Sequence, residues 1–409
     1  MTQKHILFLV TGFPPDVSGV ALFNWERAFW LAQHSDYRIT VLAPDWGVNE
    51  QAMAAAAAIP EQLSIERYPS KPWIPYPLTH VPRFSAKSFI ESRIKALAPD
   101  LMVSTDVERF FLLSSWSLPG LKYAQANDVP FIAEYHTDLY NFSASYPGWQ
   151  WLRAAIKYTQ LTNFLYRHFT LTLCATQAAE NSCQEMGINN TVVCPYLGID
   201  SSDFSPALRD RGLLLEWLMP EEVEHTIYLY LGRLGYEKKV DCLIGAFQEL
   251  QQERSDISLL IVGDGPEEVM KSLKQQAGST KHIHFTGFQL GEKKAKIMAS
   301  CDVFCSPSPY ETFGRTLAEA IASGLPVISV KSGAAEEMLA SAKDGLLINA
   351  PEKSQMALAM AGFGRLQANS GTASAAPAQT HSLQSACSHL LHLYESVLAD
   401  RQSFAKRAS

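Results

Sequence analysis

The chain has 409 residues, 47% of them hydrophobic, and a formal net charge of −7. That length exceeds what one core fills, so two domains of roughly 200 residues are expected. The acidic balance speaks against general nucleic-acid binding, though not against a local basic cleft. Seven cysteines without a C-x-x-C pair fit reduced thiols in a cytoplasmic setting better than a disulfide framework. No run approaches the ~18–20 apolar residues that cross a bilayer.

Residues 6–10 are a continuous apolar run, the pattern of a strand buried on both faces. Gly12 and two prolines follow at once, which reads as a first strand and its turn rather than a signal peptide. The loop 11–20 is rich in turn formers and opens onto a helix from about residue 21 to 32, which places Gly19 at the helix start. An ordinary first loop of a nucleotide-binding fold reads the same. Further strands are expected at 38–43, 101–105, 130–134 and 171–174, with helical stretches between most of them. This alternation predicts a doubly wound parallel α/β sheet with ligands at the carboxyl ends of its strands. That rule makes Tyr135-His136-Thr137-Asp138 a site candidate. Trp149, Trp151, Arg153, Lys157 and Tyr158 follow; they suit a lipid headgroup region and equally a helix packed under a sheet.

Residues 194–200 close a first domain (1–200), and 201–206 read as a linker to a second (207–366). Here a strand at 226–231 leads into Gly232-Arg233-Leu234-Gly235-Tyr236-Glu237-Lys238-Lys239 and then a helix. Arg233 and Lys238 at one strand end would repel each other unless an anion joined them, and a pyrophosphate is the natural anion; two solvated loop cations are the plain alternative. The turn Gly263-Asp264-Gly265 is of a very common kind. Residues 302–305 form a short strand cut off by two prolines, with Cys301 and Cys305 as small apolar packing. Gly314 then permits a tight turn, and Leu317, Ala320 and Ile321 recur at helical spacing until Gly324 and Pro326. Glu311 therefore precedes a helix and Glu319 lies inside it. The backbone from Thr312 through Phe313, Gly314 and Arg315 to Thr316 is a seat for a phosphate. The flanking carboxylates can take paired hydroxyls of a sugar and a ribose. Residues 367–381 read as a flexible small-residue loop. A last helix within 382–409, striped by Leu383, Leu390, Leu391, Tyr394 and Val397, should pack back on a domain.

Taken together, Pro-Ser before Glu311, Phe-Gly after it, the Leu-Ala-Glu-Ala helix and Ser-Gly-Leu-Pro resemble the retaining nucleotide-sugar glycosyltransferases of family 4. The resemblance covers about residues 4–350 and includes Gly19, the Tyr-His-Thr segment, Arg233 with Lys238, and residues 284–288 beside a nucleotide base. It departs at Lys239, where the family usually has glycine, and at an alanine of 332–336 where proline is commoner. It implies two facing Rossmann-like domains, called GT-B, with the cleft between an acceptor-side and a donor-side half. It also implies transfer of a sugar from a nucleoside diphosphate to an acceptor hydroxyl with retained configuration. Arg233 and Lys238 would bind the diphosphate, the backbone amides of the loop at Gly19 would approach the donor phosphates, Glu319 would bind the ribose, and Glu311 and His136 the donor sugar. No cofactor and no metal are expected, in line with the lack of an Asp-x-Asp motif. The aromatic, basic stretch after His136 looks like that of relatives that glycosylate membrane lipids, which makes an anionic membrane surface a candidate partner. A nucleotide-sugar epimerase on the same architecture, or a non-catalytic partner subunit, are the competing readings.

Overall fold

The computed structural model describes residues 3–47, 59–73, 76–113, 116–136, 148, 151, 160–311, 313–340, 345–362 and 382–399. The described residues fall into two compact units, one built mainly from Met1–Tyr140, Trp151–Gly198 and Leu383–Ser409 and the other mainly from Ile199–Ser382. Each carries its own parallel sheet, as the alternation of apolar runs and helices requires.

In the first unit the strands are β1 (His5–Leu9), β2 (Arg38–Pro44), β3 (Leu63–Tyr68), a small antiparallel hairpin of β4 (Ser70–Trp73) and β5 (Tyr76–Pro82), then β6 (Leu101–Thr105), β7 (Phe131–Tyr135), β8 (Leu171–Cys174) and β9 (Thr191–Val193). Apart from the hairpin they form a parallel sheet in the order β3-β2-β1-β6-β7-β8-β9. The order reverses between β1 and β6. The expected strands are present; β3, β4, β5 and β9 are additional. Residues 63–68 mix polar and apolar side chains, the hairpin contains Pro72, Pro77 and Pro82, and β9 is a three-residue edge strand with two exposed valines, so none carries the apolar run of a buried strand.

The helix Gly19–His34 follows β1, and the Ser18 side chain caps it by accepting from the Ala21 amide at 3.3 Å. The last helix, Leu383–Ala399, packs against it. Leu390, Tyr394 and Val397 are buried as the stripe predicts, joined by Cys387 and Leu398, whereas Leu391 is only half-buried. The Tyr394 ring lies 6.2 Å from that of Phe8. All seven cysteines are buried, and none is in a disulfide.

An ion pair sits inside this packing. The Arg27 guanidinium donates to Glu134, with both side chains essentially inaccessible. It also reaches Asn24 Oδ1 at 2.7 Å and lies over the Phe8 and Phe23 rings at 4.5 and 4.9 Å. Asn24 in turn donates to the Gly12 carbonyl at 2.8 Å, tying the helix to the loop after β1. Burial alone would push the Glu134 carboxyl up, but Arg27 and the hydrogen bond with His136 outweigh it and hold it below the ordinary range.

The second unit is a parallel six-stranded sheet in the order β12-β11-β10-β13-β14-β15. Its strands are β10 (Thr226–Leu231), β11 (Ile257–Val262), β12 (Ile283–Gly287), β13 (Val303–Ser306), β14 (Val327–Val330) and β15 (Gly345–Ile348). One face buries Tyr228, Leu243, Phe247, Ile261 and Met356, the other Leu229, Ile297, Phe304 and Val327. Both units thus have Rossmann-like topology. The stretch 201–206, read as a linker, contributes Phe204 to the second unit's core and forms short 3-10 turns at Ser201–Asp203 and Pro206–Leu208.

The pair Arg27 and Glu134 gives a stability test. Glu134→Gln leaves a buried guanidinium without its counter-charge and should cost about 3–5 kcal/mol in urea unfolding near neutral pH. Because the folded carboxyl is held low, this contribution is present above the unfolded glutamate range and is lost as pH falls through the folded value. The gap between wild type and variant should therefore narrow in acid. A neutral-pH gap no larger than an exposed pair's, about 1 kcal/mol or less, would show that the pair does not hold the unit together.

Candidate active site

Ligands of open parallel sheets bind where the strand order reverses, at the carboxyl ends of the strands. In the second unit that point lies between β10 and β13, with Arg233 and Lys238 after one strand and Glu311 to Glu319 after the other. The loop after β10 lies against the loop after β11. Gly232 N–H donates to the Val262 carbonyl at 3.0 Å and Leu234 N–H to the Asp264 carbonyl at 2.9 Å. A Cβ on Gly263 would stand 1.9 Å from the Gly232 oxygen, and one on Gly265 2.0 Å from the Leu234 oxygen. The Gly-Asp-Gly turn, unremarkable as sequence, is what allows this approach and fixes the backbone on either side of Arg233.

Arg233 is fixed at both ends. Tyr230 Oη donates to its carbonyl at 2.8 Å, and its guanidinium, 42% exposed, donates to the buried Glu237 carboxylate at 2.8 Å. Lys238 forms an ion pair with Glu311, each side chain about one-fifth exposed. The two sequence-predicted residues from different strand ends are thus brought together. Lys239 stands in left-handed backbone, φ 54°, at the start of the helix Val240–Leu250. This is where the resemblance expects glycine, and the conformation gives the reason. Lys238 is the lysine that meets Glu311.

Gly314, φ 71°, begins the helix Arg315–Ala322, and a Cβ there would meet Leu317 Cβ at 3.3 Å. Phe313 packs against the core, and Arg315 and Thr316 are half-buried; Thr312 lies outside the described residues. Glu319 is fully buried. Its Oε1 accepts from Lys294 Nζ at 2.7 Å and Arg315 Nε at 3.1 Å, while its Oε2 has no hydrogen-bond partner among the described residues.

The first unit's reversal point, between β1 and β6, is spanned by Thr11 Oγ1 donating to the buried Asp106 carboxylate. Burial would raise Asp106, but Arg109, His136 and the Thr11 hydroxyl outweigh it and hold it low. His136 is buried, with Nε2 3.0 Å from Glu134 Oε2 and its ring edge-on to Tyr196 at 5.5 Å. Gly19 is exposed at its helix start, beside the Ser18 N–H that donates to Asp16 at 2.8 Å. Thr137, Asp138, Trp149, Arg153, Lys157 and Tyr158 lie outside the described residues; Trp151 is 69% exposed. A separate aromatic patch joins Phe111 to Trp116 at 5.8 Å and to Phe164 at 6.4 Å, with Arg167 over Phe164 at 4.8 Å. Trp116 and Phe164 are 67% and 43% exposed.

Sequence reading missed Glu237, Lys294, Arg27 and Asp106. Glu237 had a signal in its place between Arg233 and Lys238. Lys294 had none, since it comes from the preceding helix, Gly291–Ser300, in an unremarkable charged stretch.

Residues 220–366 match the family described as glycosyl transferases group 1. Among curated relatives, a GDP-mannose-dependent alpha-mannosyltransferase of Corynebacterium glutamicum is 32% identical over 54% of the chain, which spans only about 50% of that relative's length. A protein of the same description from Mycolicibacterium smegmatis is 28% identical over 84% of each chain. The alpha-monoglucosyldiacylglycerol synthase of Streptococcus pneumoniae is 26% identical over 79% of the chain and 70% of its own. Among solved structures, Anabaena HepE in complex with UDP-glucose superposes with a TM-score of 0.72 at 20% identity, over 96% of this chain and 100% of that one; this shows the fold. The two Rossmann-like units, the second carrying the group 1 match, have the GT-B fold. The chain is thus similar to group 1 glycosyl transferases over residues 220–366, and to the mannosyltransferase relatives over most of its length.

Left-handed backbone at Lys239 costs a non-glycine residue on the order of 1–2 kcal/mol, partly offset by glycine's greater freedom when unfolded. Lys239→Gly should therefore raise stability by about 0.5–1 kcal/mol, read as a higher unfolding midpoint. A fall in the midpoint would mean that the lysine side chain makes a stabilising contact worth more than the strain.

Proposed function

We propose that the chain transfers a sugar from a nucleoside diphosphate sugar to a hydroxyl of a lipid acceptor, with retention of configuration. The observation that carries the reading is the Lys238–Glu311 ion pair across the β10/β13 reversal point, with Arg233 in the same loop as Lys238 and Glu319 on the helix that follows Gly314. In this reading the two cations take the diphosphate, the amides at Gly314 add to its stabilisation, Glu319 receives the ribose and Glu311 the donor sugar. As the bond from the anomeric carbon to the diphosphate breaks and that to the acceptor oxygen forms, the acceptor proton passes to the departing diphosphate. The protein's part is to stabilise the leaving charge with fixed donors. The mannosyltransferase relatives support GDP-mannose as the first donor to test, with UDP-glucose as the contrast. The diacylglycerol-sugar synthase supports a lipid acceptor.

Normal turnover in both Arg233→Ala and Lys238→Ala would overturn the reading; the expected loss for each is on the order of a hundredfold or more, from ~2.7–4 kcal/mol per lost donor. We take these cations to fill the role a divalent metal has elsewhere, so wild-type activity should persist in the same assay with excess chelator. Loss on chelation, restored by magnesium or manganese, would assign that role to a metal.

We also propose a cytoplasmic setting and peripheral membrane association. The buried thiols, none of them in a disulfide, support the first. The second is supported by the exposed Trp116 and Phe164 with Arg167, and no helix among the described residues is long and apolar enough to span a bilayer. Each basic residue near an anionic surface contributes only about 1 kcal/mol, so binding should be weak and salt-sensitive. Wild type should float with phosphatidylglycerol vesicles at low salt and less at high salt. A Trp116→Ser, Arg167→Glu variant and an Arg153→Glu, Lys157→Glu variant should each float less. If wild type stays at the bottom of the gradient, or both variants float as well as it does, the association is wrong and soluble sugars become the acceptors to test.

A further inference from the structure

We propose that Lys294, together with Arg315, is a positioning residue that sets selectivity for a ribose over a deoxyribose by holding Glu319 with one oxygen anchored and the other without a hydrogen-bond partner among the described residues. The proposal rests on the reading of Glu319 as the ribose-binding carboxylate and extends it to the two side chains that anchor that carboxylate. A carboxylate has about four acceptor sites on two oxygens. Here both charge-assisted donors fall on Oε1, at 2.7 Å from Lys294 and 3.1 Å from Arg315. Oε2 is buried and has no hydrogen-bond partner among the described residues. A buried acceptor left without a donor is unfavourable for folding, so it calls for a reason outside the fold.

The anchoring cations have independent supports. Arg315 stands one turn before Glu319 on the same helix. Lys294 reaches across from the helix Gly291–Ser300, its side chain 13% exposed and its Nζ 5.0 Å from the Phe204 ring centre. With Oε1 taken, the carboxylate cannot rotate to relieve Oε2 without breaking two ionic hydrogen bonds. The unpartnered oxygen is therefore held in one orientation, with its acceptor sites left for a hydroxyl. A site built to accept a hydroxyl rejects an analogue lacking it, because its acceptor is then left unpaired. Without Lys294 the carboxylate has one remaining anchor, at its own helix turn, and its orientation is no longer fixed.

The test compares binding of GDP with 2′,3′-dideoxy-GDP, and of UDP with 2′,3′-dideoxy-UDP, by calorimetry on the full chain. For the nucleotide that wild type binds, the ribose form should be favoured by about tenfold or more, the scale of a hydrogen bond to a charged group. Lys294→Met should weaken the ribose form and bring the ratio toward one, and Lys294→Arg should restore it. A merely structural lysine would weaken both forms alike and leave the ratio unchanged, which would overturn the proposal. Glu319→Gln separates the two layers. If it abolishes the preference while Lys294→Met keeps it, the ribose reading stands and the role of Lys294 falls. If Glu319→Gln keeps the preference, or wild type shows none or binds neither nucleotide, the ribose reading falls and the proposal with it. Should Lys294→Met fail to fold, Lys294→Gln takes its place; failure of both would assign the residue to the fold and overturn the proposal.

Discussion

The second unit depends on how positive charge is kept at the end of one buried strand. Arg233 and Lys238 follow β10 closely, and each is held by a carboxylate, Glu237 for the first and Glu311 for the second. Like charges so placed need either solvent or counter-charge. The two carboxylates differ in kind. Glu237 is buried and belongs to the same loop, so it orients its arginine. Glu311 comes from the far side of the reversal point and is partly accessible, so under the proposed function a diphosphate would compete with it for the lysine. The glycines of the β11 turn, the tyrosine under Arg233 and the left-handed Lys239 all serve this local geometry.

The first unit uses charge differently. Arg27 and Glu134 are sealed in the core, roofed by aromatic rings and linked through Asn24 to the loop after β1. His136 touches that pair, and Asp106 lies in its electrostatic field. A residue singled out as a site candidate is therefore also a member of a buried polar network. Its orientation is set by groups that contribute to folding, and a variant at Glu134 would disturb both.

The sheet strands were legible because they are unbroken apolar runs, a pattern that burial on two faces imposes. The edge strands and the proline-containing hairpin were not, since an edge needs no such run. Glu311 and Glu319 could be placed before and inside a helix because Gly314, Gly324 and Pro326 punctuate the chain. Pairing Lys238 with Glu311 was beyond sequence pattern alone, for it depends on β10 and β13 being neighbours, a long-range fact of topology. Lys294 was wholly hidden: one lysine among several on an amphipathic helix carries no mark until the helix is seen against Glu319. Lys239 shows the reverse case. It departs from the glycine that the resemblance expects, yet its backbone takes the conformation that glycine would favour.

The most direct test of the central claim, that the charged end of the second unit's sheet receives a nucleoside diphosphate sugar, is calorimetric titration with GDP-mannose, UDP-glucose and the corresponding sugar 1-phosphates. The account predicts saturable binding of at least one nucleotide sugar, weakened as salt rises, and much weaker binding of the sugar phosphate that lacks the nucleoside. Equal binding of the sugar phosphate and its nucleotide sugar, or no binding of either nucleotide sugar, would contradict it.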